Sequence, residues 1–129
     1  AAEDVGLAYP MILPIVKSAV DAAFQVGLPE ARIPLADAVI LVATAPKSNS
    51  AYNALHAAMA DVDAGKGTNI PPHLQSPLFK GYKYPHEYPN HYVEQQYLPD
   101  DLVGKHYYEP CPNKTEQAAA SYWEKIKKP

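Results

Sequence analysis

Hydrophobic residues recur every three or four positions over residues 10–26, a spacing that predicts an amphipathic helix. Pro10 and Pro14 fit its first turn, where backbone N–H groups have no partner inside the helix, and Gly27 is a natural stop. The predicted apolar face comprises Ile12, Ile15, Val16, Ala19, Val20, Ala23 and Phe24. The first helix therefore has one face to bury.

A second helix, predicted from Pro34 to about Ala45, is apolar on almost every side. A helix without a polar face is typical of a buried position, so we expect its neighbours to cover it. Residues 48–50 can cap a third helix that ends near Ala64. The apolar stripe of this third helix consists of Tyr52, Leu55, Met59 and Val62. Three helices with short connections indicate an all-α bundle.

The helical spacing stops in residues 65–113, where proline and glycine are dense. Segments 91–98 and 104–108 are candidates for a short hairpin, and the remainder is predicted to be extended but ordered. A last helix is predicted from about Thr115, its candidate cap, to Lys127. The predicted fold class is therefore all-α: a small bundle of about four helices with a long Pro/Tyr-rich extended arm.

The aromatic content is concentrated in this arm, because seven of the ten tyrosines lie in residues 81–110. Tyr combines a large apolar ring with a polar tip, and only two side-chain torsions become ordered when it packs. We therefore expect the arm to lie across another surface, in the same subunit or in the next one. The candidates for arm packing or for an oligomer interface are Tyr82, Tyr84, Tyr88, Tyr92, Tyr97 and Leu98.

The composition provides no basic field for nucleic acid, since the net charge is −3 and the pI is about 5.9. The single cysteine, Cys111, excludes an internal disulfide and fits a reducing cytoplasm. No apolar stretch approaches the ~20 residues of a membrane span, and no segment resembles a signal peptide. The chain begins with Ala1 and without Met, so we expect a piece of a larger protein.

Three short motifs resemble catalytic or cofactor sites, and each lacks a physical requirement of that chemistry. His86 and His91 are one residue too far apart for a zinc-protease His-Glu-x-x-His motif, and Pro89 forbids the necessary helix. Residues 65–68 lack the first glycine and the preceding strand of a phosphate-binding loop. Cys111 has no identifiable general base. We therefore expect no catalytic, metal or cofactor site, and a small metalloenzyme is the weakest hypothesis.

Lysines provide a second kind of candidate site. Lys83 and Lys105 lie among tyrosines, a combination that can stack on single-stranded DNA and neutralise it, although nearby acids cancel much of the field. Lys47 lies in the predicted turn between the second and third helices, where it contacts either an interface or a DNA phosphate, or only completes the turn. Lys47, Lys83 and Lys105 are therefore candidates for DNA or interface contact.

Several phrases of the sequence look like one protein family. They are Glu3-Asp-Val-Gly-Leu-Ala8, residues 27–40, Ala43-Thr-Ala-Pro-Lys-Ser-Asn-Ser-Ala-Tyr52, Tyr84-Pro-His-Glu-Tyr-Pro89 and Gln95-Gln-Tyr-Leu-Pro-Asp100. Through them nearly the whole chain resembles the replication-associated recombination protein A family of bacteria, whose eukaryotic relatives are the Werner-helicase-interacting proteins. Two positions depart from the family pattern: Glu87 stands where Asp is expected, and residues 111–114 replace a glycine-bearing turn.

Members of that family are clamp-loader-like AAA+ ATPases, and the resemblance implies a division of the chain. Residues 1–9 would be the tail of the AAA+ lid, and residues 10–129 the C-terminal helical oligomerisation domain that holds a homotetramer together. This domain would comprise a helical core (10–64), the arm (65–113) and a C-terminal helix (114–129). The chain itself would have no enzyme activity, because ATP and Mg would bind in a domain upstream of it.

The resemblance also implies a cellular role for the parent protein. It would be a DNA-dependent ATPase of the bacterial cytoplasm, associated with the nucleoid and the replication fork. It would act in DNA replication, recombination and repair at stalled forks or single-strand gaps. The implied partners are further copies of itself and DNA, with single-strand binding protein as a candidate and no membrane.

Two functions compete for the chain. In the first, it is a collar for oligomerisation, and the faces of residues 35–43 and 51–62 supply both core and interface. In the alternative, it is a DNA- or partner-binding module of the same ATPase that does not oligomerise alone. The sequence does not divide these positions between core and interface.

Overall fold

The computed structural model describes residues 1–77 and 79–128. Its four α-helices are α1 (Ile12–Val26), α2 (Arg32–Thr44), α3 (Ser50–Asp63) and α4 (Lys114–Lys127). No strand occurs among the described residues, which confirms the prediction of an all-α fold. None of these helices is long and apolar enough to cross a membrane within the described ranges.

The Pro-rich segment between α3 and α4 consists of loops and short 3-10 turns. Four such turns lie in the described part of this segment, at Pro72–Leu74, Pro85–Glu87, Pro89–His91 and Asp100–Leu102. Proline fixes φ near the value of a helical turn and cannot donate to a sheet ladder. Neither residues 91–98 nor residues 104–108 form a strand, so the short hairpin expected from them is wrong.

The described residues divide into two compact units. The first contains residues 1–53 and 108–118, and the second contains residues 54–77, 79–107 and 119–128. The boundary predicted at residue 9 concerns a larger protein and stays a prediction. Within the first unit, however, the N-terminal segment is part of the core, because Val5 and Ile12 are fully buried and Ala8 is 2% exposed.

α1 and α2 pack against each other within the first unit. The buried residues of these helices are mostly small, with Ala23 on α1 and Ala38 on α2, and small side chains let helix axes approach closely. Gly27 ends α1 with φ +69, a left-handed value that favours glycine, and its N–H donates to the Ala23 carbonyl at 3.0 Å.

The prediction that α2 is buried is wrong for the chain by itself. Ile33, Val39 and Ile40 are exposed by 67%, 66% and 62%, and Ala38 is the buried residue of the helix. The periodicity shows that every side of α2 is apolar, but it does not show whether this chain provides enough surface to cover each side. α2 therefore carries a large apolar surface that the described residues leave open.

Candidate functional site

An apolar depression lies on the first unit where α1 and α2 meet. Its volume is about 400 Å³, and it is lined by Val20, Ala23, Phe24, Gly27, Leu28, Ala31 and Leu35, which we call the α1–α2 apolar face. Phe24 is 84% exposed and Leu28 is 77% exposed at this face, whereas Ala23 and Ala31 are buried. Large side chains therefore stand beside a depression formed over small ones.

The helix-loop-helix geometry creates this face. Gly27 turns the chain at the end of α1, and its carbonyl accepts the Ala31 N–H at 2.7 Å, which returns the chain directly into α2. Nothing lies within 4 Å of the position that a Cβ on Gly27 would occupy, so glycine is required for its φ rather than for space. The tight turn leaves Phe24 and Leu28 at the edge of the depression.

The expected stripe of α3 is also open. Tyr52, Leu55, Met59 and Val62 are exposed by 42%, 58%, 47% and 66%. A stripe at helical spacing normally marks the buried face of a helix. The predicted interface faces at 35–43 and 51–62 therefore consist largely of exposed apolar side chains, and their division into core and interface stays a prediction.

A buried polar cluster in the first unit joins the start of α3 to the start of α4. The carboxylate of Glu116, a residue 2% exposed, accepts hydrogen bonds from Ser50 Oγ at 2.5 Å, from Tyr108 Oη at 2.8 Å and from Asn113 Nδ2. Ser48 Oγ in turn donates to Ser50 Oγ at 2.9 Å. The carboxylate has several donors, which a buried charge requires.

These contacts change the acidity of two groups in opposite directions. Burial raises the pKa of Glu116, but hydrogen bonding from the Ser48–Ser50 pair, Asn113 and Tyr108 outweighs it and lowers that pKa to about 2. Burial and the hydrogen bond to Glu116 raise the pKa of Tyr108 to about 12. The cluster is therefore a carboxylate and a phenol in fixed protonation states, which suits a structural tie rather than acid–base catalysis.

Lys47 is positioned against the end of α2. Its ammonium donates to the carbonyls of Val42 at 2.9 Å, Ala43 at 3.3 Å and Ala45 at 2.5 Å. A cation at a helix C-terminus is favourable because the last carbonyls lack partners and the helix dipole is negative there. The local geometry thus gives Lys47 a capping role, while its contact with DNA or an interface stays a prediction.

The arm is held in the second unit by two adjacent glutamines. Gln95 accepts from the backbone N–H of Lys83 at 3.1 Å and donates to its carbonyl at 2.7 Å, so a side chain pairs with a neighbouring segment as a strand would. The Gln96 side-chain amide donates to the Leu98 carbonyl and to Asp100. The backbone carbonyl of Gln96 contacts His73 Nε2 at 2.6 Å. These contacts keep the arm ordered without a sheet.

The tyrosines of the arm remain largely open. Tyr82, Tyr84, Tyr88 and Tyr97 are each at least 36% exposed, while Tyr92 and Leu98 are half-buried. Tyr92 packs edge-to-face on Trp123, with ring centroids 5.5 Å apart. Part of the predicted arm packing is thus intramolecular, and the interface role of the remaining tyrosines stays a prediction.

Lys105 belongs to an ionic cluster around Asp61 in the second unit. Its ammonium lies 3.5 Å from the Asp61 carboxylate, which also accepts from Tyr107 Oη at 2.7 Å. The hydrogen bond from Tyr107 and the charges of Lys105 and Lys66 lower the pKa of Asp61, against a smaller opposing effect of burial. Lys105 is therefore partly neutralised, which reduces its value as a DNA contact.

Two of the histidines of the arm lie together, with the ring centroids of His86 and His91 4.9 Å apart. Within residues 1–77 and 79–128, no group of three or more His, Cys, Asp or Glu side chains is placed to hold a metal ion. A catalytic metal needs about three protein ligands, so this pair alone does not support the metalloenzyme hypothesis.

The main polar anchors were not predicted from the sequence, although one of them has a local sequence signal. Asn113 Oδ1 accepts the Glu116 N–H at 2.9 Å, so Asn113, not Thr115, caps α4, and Asn113-Lys-Thr-Glu116 has the residue spacing of a capping box. Gln95 and Gln96 had no comparable signal, because side-chain pairing with distant backbone leaves no periodicity in the sequence.

Comparisons with known proteins show which family the chain is similar to. Residues 1–127 match the family described as MgsA AAA+ ATPase C terminal. Replication-associated recombination protein A of Bacillus subtilis is 49% identical over 99% of this chain and 33% of its own length. The protein of the same name in Escherichia coli K12 is 33% identical over 85% of the chain and 27% of its own length.

A eukaryotic relative, ATPase WRNIP1 of Dictyostelium discoideum, is 29% identical over 88% of the chain and 14% of its own length. The chain thus spans at most about a third of the length of these curated relatives. Since the family match covers almost every residue, the chain belongs to the C-terminal family of the MgsA AAA+ ATPases.

Proposed function

We propose that this chain is the oligomerisation domain, most simply a tetramerisation domain, of a AAA+ ATPase that acts in replication-associated recombination and repair. The name of the bacterial relatives, replication-associated recombination protein A, supports the cellular role. The ATPase activity, with its ATP and Mg, belongs in this proposal to the part of the protein that the chain does not cover. Assembly is the function proposed for the chain itself.

The observation that supports assembly most strongly is the solvent exposure of the α1–α2 apolar face. A single exposed apolar residue needs no explanation, but a contiguous group beside a depression typically marks an interaction site. Here Phe24 and Leu28 are both more than three-quarters exposed at the rim of one depression. Their burial in an interface would remove large apolar surfaces from water.

A second copy of the chain fits this face because the protruding Phe24 side chain and the depression are adjacent on one surface. In a two-fold contact the same patch is used by both subunits, so Phe24 of each copy can enter the depression of the other. Gly27, Ala23 and Ala31 line the depression and leave room for an aromatic ring. Aromatic residues that fill such pockets commonly contribute most of the binding energy.

The exposed sides of α2 offer a second patch. Val39 and Ile40 are more than 60% exposed, and neither lines the α1–α2 depression. Two independent isologous patches are what a tetramer of dihedral symmetry requires, whereas one patch closes a dimer. The apolar surface of α2 thus supports the proposal of four subunits, a number that comes from the resemblance found in the sequence.

Substitution at Phe24 tests the proposal. Phe24→Ala should weaken the contact between subunits by about 2 kcal/mol or more for each buried ring. Phe24→Glu should weaken this contact further because it places like charges together. Val26→Ala is the matched control, since Val26 is 55% exposed on the same helix and does not line the depression. The readout is the sedimentation-derived mass at several concentrations.

The expected result is that both Phe24 variants lower the mass while Val26→Ala does not, with unchanged helix content by circular dichroism. An unchanged mass in the Phe24→Glu variant would remove the α1–α2 apolar face from the interface. A native chain that is monomeric and binds single-stranded DNA would favour the alternative, a DNA- or partner-binding module.

A further inference from the structure

The second unit contains an aromatic pocket that shares no lining residue with the α1–α2 apolar face. Its volume is about 420 Å³, and its walls include Trp123 from α4 and Tyr92, Tyr97, His91 and Pro85 from the arm. Trp123 is 46% exposed and Tyr97 is 49% exposed, so large ring surfaces face the opening. Trp123 is also the single tryptophan of the chain.

The walls of this pocket are held in place by specific contacts. Tyr92 packs edge-to-face on Trp123, and Tyr97 Oη accepts from Gln95 Nε2 at 2.8 Å. Asn90 donates to the carbonyls of Ile126 at 3.4 Å and Lys128 at 3.3 Å, which fixes the loop before His91 at the end of α4. The rings are therefore preorganised, and a ligand would not have to order them.

A cation lies beside the aromatic wall. Lys127 Nζ is 5.2 Å from the centre of the Trp123 ring, one helical turn further along α4. Its ion pair with Glu124, at 3.1 Å, is between exposed side chains and is therefore weak. An anionic ligand can displace the Glu124 carboxylate from this ammonium at little cost.

We propose that this pocket binds one unpaired base of single-stranded nucleic acid, stacked on Trp123, with the adjoining phosphate on Lys127. Stacking on aromatic side chains and neutralisation of the backbone by a cation are the two contacts that sequence-tolerant single-strand binding needs. Lys47, Lys83 and Lys105 do not line this pocket, and Lys127 lies beside its Trp123 wall rather than among the lining residues. All of its lining residues come from a single copy of the chain.

The pocket chemistry favours a nucleotide over the other common occupant of aromatic pockets, a proline-rich peptide. A polyproline helix fits between aromatic rings but carries no anion for Lys127. A nucleotide carries both a flat aromatic base and a phosphate, and it therefore uses both features of the site. A peptide is kept as an outcome of the test.

The single tryptophan provides a direct readout. We would titrate the native chain with oligo-dT at low salt and follow the fluorescence of Trp123, with a proline-rich peptide and inorganic phosphate as parallel probes. Stacking of a base on the indole should quench this fluorescence in a saturable manner. Anisotropy of a labelled oligo-dT gives the affinity in variants that lack the reporter.

Three variants test the assignment of contacts. Trp123→Leu and Tyr97→Leu should each weaken oligo-dT binding by about five- to 150-fold, the range for loss of one stacking partner. Lys127→Gln should reduce the slope of log affinity against log salt by about 0.7, the value for one lost phosphate contact on a single strand. Lys17→Gln is the matched control, since Lys17 is an ion-paired lysine of α1.

Saturable quenching by oligo-dT, together with these losses, would establish the site. If oligo-dT binds but neither Trp123→Leu nor Tyr97→Leu weakens it, the nucleic acid lies elsewhere and the proposal is overturned. Quenching by the proline-rich peptide and not by oligo-dT would assign the pocket to a peptide. Tyr97→Leu keeps the test valid if Trp123→Leu does not fold, because Tyr97 is half exposed and helix content can be checked.

Discussion

Ser50, the first residue of α3, donates a hydrogen bond of 2.5 Å to the buried carboxylate of Glu116 in the first turn of α4. These residues are 66 positions apart in the sequence, so the bond closes a long loop. Tyr108 and Asn113 donate to the same carboxylate. One charged group thus joins the start of α3 to the start of α4, and its removal should affect both segments.

Glu116→Gln should lower the free energy of unfolding by about 2–4 kcal/mol, because Ser50, Tyr108 and Asn113 lose a charged acceptor and face an amide that also donates. Glu124→Gln is the matched control: it is a 61% exposed glutamate of the same helix, and its change should stay within about 0.5 kcal/mol. Urea unfolding at one fixed protein concentration measures both. Equal losses in the two variants would contradict the structural role of the cluster.

The lowered pKa of Glu116 predicts a specific dependence of stability on pH. The folded pKa, about 2, lies below the ordinary value of 4.5, so this contribution is complete above pH 4.5 and disappears as the pH falls toward 2. The loss should be on the order of 3 kcal/mol in the native chain. Unfolding free energies measured across this range should depend less on pH in Glu116→Gln, and parallel curves for both proteins would exclude the assignment.

Gly67 and Gly65 provide a paired test of packing in the second unit. Both have positive φ, so alanine at either should cost about 1–2 kcal/mol through backbone strain. A Cβ on Gly67 would also lie 2.9 Å from Leu102 Cδ1, whereas nothing lies within 4 Å at Gly65. Gly67→Ala should therefore cost a further ~1 kcal/mol, measured by thermal unfolding, and a larger loss in Gly65→Ala would disagree with this geometry.

Gln95 should control local order of the arm more than global stability. Its amide forms both hydrogen bonds to the Lys83 backbone. Gln95→Ala leaves those backbone groups to water and should therefore lower the free energy of local opening by about 1–2 kcal/mol. Hydrogen exchange at the Lys83 amide measures this, with Gln25→Ala on α1 as the control. Unchanged protection at Lys83 would show that other contacts hold the arm.

The helices could be predicted from the sequence because apolar periodicity and proline positions are local properties. The positions of α1 and α3 follow from them, and Asn113 with Glu116 is a local cap that could have been recognised. The exposure of α2 could not be predicted, since burial depends on how much surface the rest of the chain provides. Nor could the pairing of Gln95 with Lys83, which depends on tertiary proximity.

Assembly into an oligomer is the function proposed for this domain. The family resemblance and the exposed apolar side chains both support it. The absolute mass of the unmodified chain by light scattering, over a wide dilution series, tests it most directly. We predict a mass near four times the 14.1 kDa of one chain that persists on dilution. A mass of 14.1 kDa at every concentration would contradict the oligomerisation function of this domain.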